Sequence, residues 1–244
     1  MLRISTILPK LRNITSPLYS INKKMSTYTS KGAPEDSKII STSDDQPLSS
    51  YNWITLQKVN YKDPSGTVRD YEKVTRKTTA KGTGVDAVII LPLLKSPNLP
   101  TKLLLQKQFR PPLGKVSIEF PAGLIDDSDA TILDAAKREL KEETGYSITK
   151  VLRESPPIFA DPGMTDASYV VITCIIDLSL KENQNVVPEL EDSEFIDLFE
   201  VELAELEDKV KQLTKEGYAI DGRVAGLIDG FIVNQQMMMD WKCD

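Results

Sequence analysis

From about residue 53 the chain switches repeatedly between two hydrophobic periods. WITLQKVNY and TVRDYEKVTR flank the stretch Lys62-Asp63-Pro64-Ser65-Gly66 and read as a hairpin, with proline to preset φ and glycine to permit φ > 0 at the reversal. VDAVIILPLL and KLLLQKQF read as buried strands, and VSIEFPAG ends a third. From about Thr131 to Thr144 the period becomes helical: Leu133, Ala136 and Leu140 share one face, and Gly145 supplies the stop. YVVITCIIDL and EFIDLFEV return to strand. Helices at about 201–216 and 222–238 close the chain, the second with Val224, Leu227, Phe231 and Val233 or Gln235 at helical spacing. No internal repeat is visible. Residues 1–47, rich in Ser, Thr, Lys and Pro, with SKGAPEDSK as a linker, are assigned no element. The chain divides into that segment, a β domain over 48–79 and an α/β domain over 80–244.

With 244 residues, 40% of them apolar, there is enough chain for one good core and a small extra element. No uninterrupted apolar run approaches the ~18 to 20 residues of a membrane helix, so the body is not expected to span a bilayer. The net charge of −6 is uneven, because residues 1–34 hold six basic groups and no acid. The rest therefore carries about −12 by difference, which argues against a nucleic-acid surface and leaves small phosphorylated molecules as ligands. Two cysteines, Cys174 and Cys243, are too few for a disulfide framework and fit a reducing compartment, with Cys174 a core residue of its strand. There is no histidine, which removes Ser-His-Asp and Cys-His catalysis and every zinc site with His ligands. Carboxylates, Lys, Arg, Tyr and a hard metal ion remain.

The first two dozen residues, MLRISTILPKLRNITSPLYSINKK, hold five basic groups and no acid, the composition of a mitochondrial presequence. Ile4, Ile7, Leu8 and Leu11 fall on one helical face, although Pro9 and Pro17 limit its length. Met25 offers a second start that would give a cytosolic form. The mitochondrial form is the expectation, with the cytosolic one beside it.

The candidate chemistry lies in KRELKEETGY, residues 137–146. Glu139, Glu142 and Glu143 occupy the C-terminal turns of the predicted helix, where unpaired carbonyls are already partly negative and each acid costs ~0.3 to 1 kcal/mol. Such a cluster is ordinarily a solvated face. Three features favour a site. Glu139 and Glu143, four apart, share a face distinct from that of Leu140. Arg138 can reach Glu142 and leave the other two free. Pro121-Ala122-Gly123, just ahead, can bend a backbone carbonyl beside the carboxylates, and that oxygen set suits Mg²⁺ or Mn²⁺.

GLIDDSDATILDAAKRELKEETGY resembles the signature box of the Nudix hydrolases, G-x5-E-x7-R-E-U-x-E-E-x-G-U, and Gly123, Arg138, Glu139, Leu140, Glu142, Glu143, Gly145 and Tyr146 match it. The match departs at one point: fourteen residues separate Gly123 from Arg138 where the pattern has thirteen, and its first Glu is absent, with Asp129 or Asp127 the nearest substitute. The extra residue is expected to be absorbed in the loop before the helix. Residues 53–236 resemble the ADP-ribose pyrophosphatase group of that family, through WITLQKVNYKDPSG, KQFRPPLGK, IEFPAGLID, DPGMTDAS and EFIDL. Pro162, sixteen residues after Tyr146, matches a proline usual in that group.

The resemblance implies a Nudix fold, an α/β/α sandwich around a mixed sheet, with an N-terminal antiparallel hairpin exchanged in a homodimer. It implies Mg²⁺-dependent hydrolysis of ADP-ribose and related nucleoside diphosphate sugars to AMP and ribose 5-phosphate, with Mn²⁺ as a substitute ion. Glu139, Glu143 and the carbonyl of Ala122 are implied as metal ligands, with Glu142 as orienter or additional ligand. Glu194 is implied as base, with Glu191 and Glu189 as alternatives in the same acidic loop. Trp53 and Tyr71 are implied to stack on the base, Arg76 and Arg110 to contact base and phosphates, and Leu124 and Asp161 to line the nucleotide and terminal ribose. Plain hairpin packing for Trp53 and Tyr71, and an ordinary surface charge for Arg110, compete with those roles. A Nudix-like module that binds ADP-ribose without cleaving it is the alternative function.

Overall fold

The structure, a computed structural model, describes residues 32–40, 50–80 and 82–240; the presequence-like segment and Met25 lie outside them. β1 (Ile54–Lys62) pairs antiparallel with β2 (Val68–Arg76) from Ile54 opposite Arg76 to Lys62 opposite Val68. Asp63 closes the turn: its carboxylate accepts from the backbone N–H of Ser65 at 2.9 Å and of Thr67 at 3.0 Å, while Gly66 takes φ 87°. This ribbon is a sheet of its own and is exposed along most of its length.

The second sheet has nine strands. In chain order come β3 (Ala87–Lys95), β4 (Lys102–Arg110), β5 (Lys115–Glu119), β6 (Ala122–Leu124), α1 (Ile132–Thr144), β7 (Lys150–Glu154), β8 (Ile158–Phe159), β9 (Ser168–Asp177), β10 (Ile196–Glu202), α2 (Leu206–Lys215), β11 (Ala219–Ile220) and α3 (Gly222–Asp240). The main path runs β11-β5-β4-β3-β9-β7, and the parallel pairs β3–β9 and β5–β11 make the sheet mixed. β3 and β4 pair only at Leu93–Leu103 and Leu94–Lys102. Beyond that point they diverge: β6 takes the freed edge of β3 and β5 that of β4. The C-terminal half of α1 meets the sheet at this divergence, over β6 and β3.

Alternate residues of β3 and β4 feed two cores, as a strand buried on both faces requires. Val88, Ile90, Leu94 and Leu104 pack with Ala135, Ala136 and Leu140 of α1, together with Ile172, Cys174 and Ile176. Ile89, Leu103 and Leu105 pack on the other side with Leu206 and Leu213 of α2 and Val224 and Ile228 of α3. The expected α/β/α sandwich with an added hairpin is what forms. Among the described residues no helix is long and apolar enough to cross a membrane.

Three local expectations change. The helix expected from 201 begins at Leu206, because Val201 is still a strand residue opposite Leu103. In α3, Val233 is 60% exposed, since the buried stripe through Val224 and Ile228 continues with Phe231 and not two residues further. Part of the presumed linker is seated: Pro34–Asp36 form a 3-10 turn with Pro34 buried. The Glu35 carboxylate accepts from Tyr218 Oη at 2.6 Å and from Lys107 Nζ at 3.1 Å, a polar anchor that the composition of SKGAPEDSK conceals.

Candidate active site

Thr131 starts α1 by accepting from the Asp134 N–H at 3.1 Å, and Gly145 ends it at φ 74°, donating to the Lys141 carbonyl at 2.8 Å. These caps set the phase of the helix. Ala136 and Leu140 turn into the core, and Glu143 follows them, one turn on, to 2% exposure. Sequence spacing separated both carboxylates from the Leu140 face; in the structure Glu143 joins that face because β4 and β6 supply it with donors. The Ala122 N–H donates to Glu143 Oε2 at 2.9 Å, and Gln106 Nε2 donates to Oε1 at 3.3 Å.

Glu139 lies over Gly123. A Cβ built on Gly123 would come within 1.9 Å of its carboxyl carbon. Gly123 does not adopt a positive φ, so what the chain needs there is space. Arg138 does more than hold Glu142, as the spacing suggested, for it draws in the surrounding acids as well. Its Nη1 donates to Glu139 at 2.8 Å and to Glu142 at 3.1 Å. Its Nε and Nη2 clasp Asp129 at 3.1 and 2.8 Å, and Nη2 also reaches the Leu124 carbonyl at 3.0 Å. The extra residue in the loop thus leaves Asp129 able to meet Arg138, whose guanidinium holds the Asp129 carboxyl below its ordinary range.

Burial pushes Glu139 up to about 7, partly countered by Arg138, and pushes Glu143 up to about 8, partly countered by the Ala122 N–H. The charge of Glu194 adds to both shifts, so this loop glutamate stands within electrostatic reach of the pair. Among the described residues no three acidic or thiol side chains gather into a ready chelate. Two carboxylates beside a glycine cradle, with the Ala122 backbone at hand, offer the hard oxygen donors that a divalent cation would take.

Arg110 is not an ordinary surface charge. At the end of β4 it forms a two-point pair with buried Glu119 at 2.8 and 2.6 Å, which raises its pKa and fixes the guanidinium beside the field of Glu143. Leu124 is half-buried on β6, and its carbonyl serves Arg138. The other expected contacts gather elsewhere. Tyr71 donates to the Gly163 carbonyl at 2.8 Å, and Asp161 stabilises the same loop by accepting from the Gly163 N–H at 3.2 Å. Between hairpin and loop lies a cleft of about 300 Å³ lined by Val59, Tyr61, Tyr71, Lys73, Pro162 and Met164, among others. Trp53 is 71% exposed at the start of the hairpin, and Arg76 is exposed at its end. Sequence reasoning passed over Gln106, Glu119 and Arg223. The first two carry a weak local signal, a polar residue directly after Leu103-Leu104-Leu105 and an acid between Ile118 and Phe120. Arg223 pairs with Asp221, two residues before it, and sits over the Tyr169 ring at 5.2 Å, a contact that only the fold creates.

Glutamates gathered on the C-terminal half of one helix, backed by a glycine cradle on a splayed mixed sheet, define a site for divalent-metal phosphate chemistry. The NUDIX domain family matches residues 85–219, and the chain belongs to that family. Its members generally use divalent metal ions. The chain is 45% identical to the ADP-ribose pyrophosphatase of Saccharomyces cerevisiae over 93% of its own length and 97% of that protein's. It is 42% identical to a Nudix hydrolase of Schizosaccharomyces pombe over 71% of this chain and 82% of that one. Identity to the ADP-sugar pyrophosphatase of Mus musculus is 35%, over 72% of this chain and 80% of that one.

Proposed function

We propose that this chain is an Mg²⁺-dependent hydrolase that cleaves the pyrophosphate bond of ADP-ribose and related nucleoside diphosphate sugars, giving AMP and a sugar phosphate, ribose 5-phosphate from ADP-ribose. The convergence of Glu139 and Glu143 beside Gly123 carries the reading, in a chain that aligns along nearly all its length with an ADP-ribose pyrophosphatase. A bound dication supplies charge neutralisation for the diphosphate and a more acidic water. Glu139, Glu143 and the Ala122 carbonyl would hold it. Glu194 takes the proton of the attacking water, and Arg110, already braced by Glu119, turns its remaining N–H groups to a phosphate. The contact between Asp129 and Arg138 counts against a merely binding module, since the altered loop still closes on the helix. Purified protein incubated with ADP-ribose and a panel of nucleoside diphosphate sugars, with Mg²⁺, Mn²⁺ or EDTA, decides the matter. AMP release that depends on Mg²⁺ is expected, and tight binding without AMP would overturn the reading.

The hairpin belongs to a homodimer in this proposal. A two-stranded ribbon is marginal alone, and this one exposes Trp53 at 71%, Val68 at 68% and Leu56 at 54%. A second subunit would cover it and bring Trp53, Tyr71 and Arg76 to the partner's site. Trp53→Ala is expected to raise KM several-fold; light scattering that finds an active monomer at assay concentration refutes the shared site. The mitochondrial presequence is proposed on composition, with a Met25-initiated cytosolic form beside it. A fluorescent fusion to residues 1–30 should enter mitochondria, and a diffuse fusion counts against it.

A further inference from the structure

Gln106 is the one polar residue among the largest fully buried side chains of the described chain, 0% exposed on β4. It stands on the same face as Leu104, over α1, where the sequence runs Leu103-Leu104-Leu105-Gln106. An amide at such a place is costly unless its hydrogen-bonding groups are met. One is. Nε2 donates to Glu143 Oε1 at 3.3 Å, whereas Oε1 is buried with no partner. The orientation of the amide is the one that suits an ionised Glu143, the form a cation would bind: turned over, Gln106 would set its oxygen against an anionic oxygen. Opposite Gln106 in register is Glu119, whose two oxygens both accept from Arg110, and the free amide oxygen of Gln106 has no hydrogen bond to it.

We propose that Gln106 is a positioning residue of the metal site. Its N–H, with that of Ala122, holds the Glu143 carboxylate by one donor on each oxygen, and its unpartnered Oε1 is the acceptor for a water that enters with the cation. The two donors leave Glu143 no freedom to rotate, while one lone pair on each oxygen remains for the ion. Gln106 itself touches neither ion nor substrate. A purely structural glutamine at this depth would be expected to satisfy both ends of its amide; this one satisfies only the end that orients Glu143. The inference rests on the reading of Glu139 and Glu143 as metal ligands.

Gln106→Met, unbranched and of similar length, removes donor and acceptor without opening a large space, and Gln106→Leu is an independent second form. Free Mn²⁺, read by its electron paramagnetic resonance signal in titrations without substrate, reports binding alone. Loss of an outer partner of a ligand weakens metal binding by about 10- to 100-fold, and that loss is the expected result for both variants. Their melting temperature in EDTA should be no lower than that of the unchanged protein. At saturating metal kcat should fall while KM for the nucleotide is kept. Glu143→Gln is the control and should abolish tight Mn²⁺ binding. If it binds Mn²⁺ normally, the ligand assignment falls and takes this inference with it. If Glu143→Gln loses the ion while both Gln106 variants bind it within twofold of the unchanged protein, the ligands stand and the role of Gln106 is overturned.

Discussion

Replacing Gly123 by alanine adds a single methyl group where Glu139 comes closest to the backbone. Built on the existing chain, that Cβ lies 1.9 Å from the Glu139 carboxyl carbon and 2.1 and 2.2 Å from its oxygens. Carbon atoms pack at about 3.5 Å or more, so the carboxylate must retreat by roughly 1.6 Å. What it displaces is the end of a flexible side chain, and Gly123 has no left-handed φ to lose. The fold should therefore survive. Alanine removes unfolded-state freedom worth about 0.4 to 1 kcal/mol where the native backbone suits it, and this offsets the disturbed contact from Arg138 to Glu139. Net stability is expected to change by less than about 1 kcal/mol. Turnover has no such relief, because misplacing a reacting group by 1 Å costs about 100-fold. AMP release under saturating Mg²⁺ should drop by about that factor or more, with an unchanged circular dichroism spectrum. Normal turnover in Gly123→Ala would mean that Glu139 works from some other position. A chain that fails to fold would mean that the glycine serves the backbone after all.

Other outcomes follow from the same geometry. Glu139 and Glu143 have folded pKa values of about 7 and about 8 against an ordinary 4.5, so the folded state holds the extra protons. Their stabilising contribution to the metal-free protein is complete below about pH 4.5 and lost as pH rises through those folded values. Melting in EDTA should become easier between about pH 5 and pH 8.5, and Glu143→Gln should flatten the slope; an equal slope in both proteins contradicts the burial argument. Glu194→Gln should lower kcat and leave Mn²⁺ binding near normal, and if Glu191→Gln behaves this way instead, the base is three residues earlier. Arg138→Lys forfeits the two-point grip on Asp129 and should reduce both turnover and thermal stability; a fully active, equally stable lysine variant would show that the clamp is idle.

The parts legible in the sequence are those whose signals are local. α1 could be bounded almost to the residue because Thr131, the Ala136 and Leu140 spacing and Gly145 agree. The hairpin was legible from Asp63-Pro64-Ser65-Gly66, where one aspartate satisfies the turn's own N–H groups. The short strands β6, β8 and β11, of three, two and two residues, are strands only because longer neighbours offer an edge, and nothing in their composition announces it. The site divides in the same way. Glu139 and Glu143 could be found by their spacing, but the burial of Glu143 could not. It depends on donors from Gln106 and Ala122, which lie 37 and 21 positions earlier in the chain. The bracing of Arg110 was not readable, since its partner Glu119 becomes a neighbour only when β4 and β5 pair.

The three glutamates at the unfavourable end of α1 are treated unequally, and the inequality locates the function. Glu142 keeps 42% of its side-chain exposure, Glu139 keeps 12%, and Glu143 as a residue only 2%. Water and Arg138 spare the first. Arg138 partly offsets the second. The third has two neutral N–H donors and, among the described residues, no ion pair, at a depth where an uncompensated charge costs several kcal/mol. Glutamine at 143 would remove most of that penalty and leave the core of α1 unaltered. Keeping the acid is sensible only if its charge is met by something the folded protein binds. An ion that binds the folded form alone returns about 2.7 kcal/mol when present at a hundred times its Kd, which is comparable with the penalty. Because the ion requires both carboxylates ionised, it competes with the protons that otherwise occupy them. Added Mg²⁺ should then raise the melting temperature more at pH 8 than at pH 6, whereas an ion bound to surface carboxylates already ionised throughout that range would raise it equally at both.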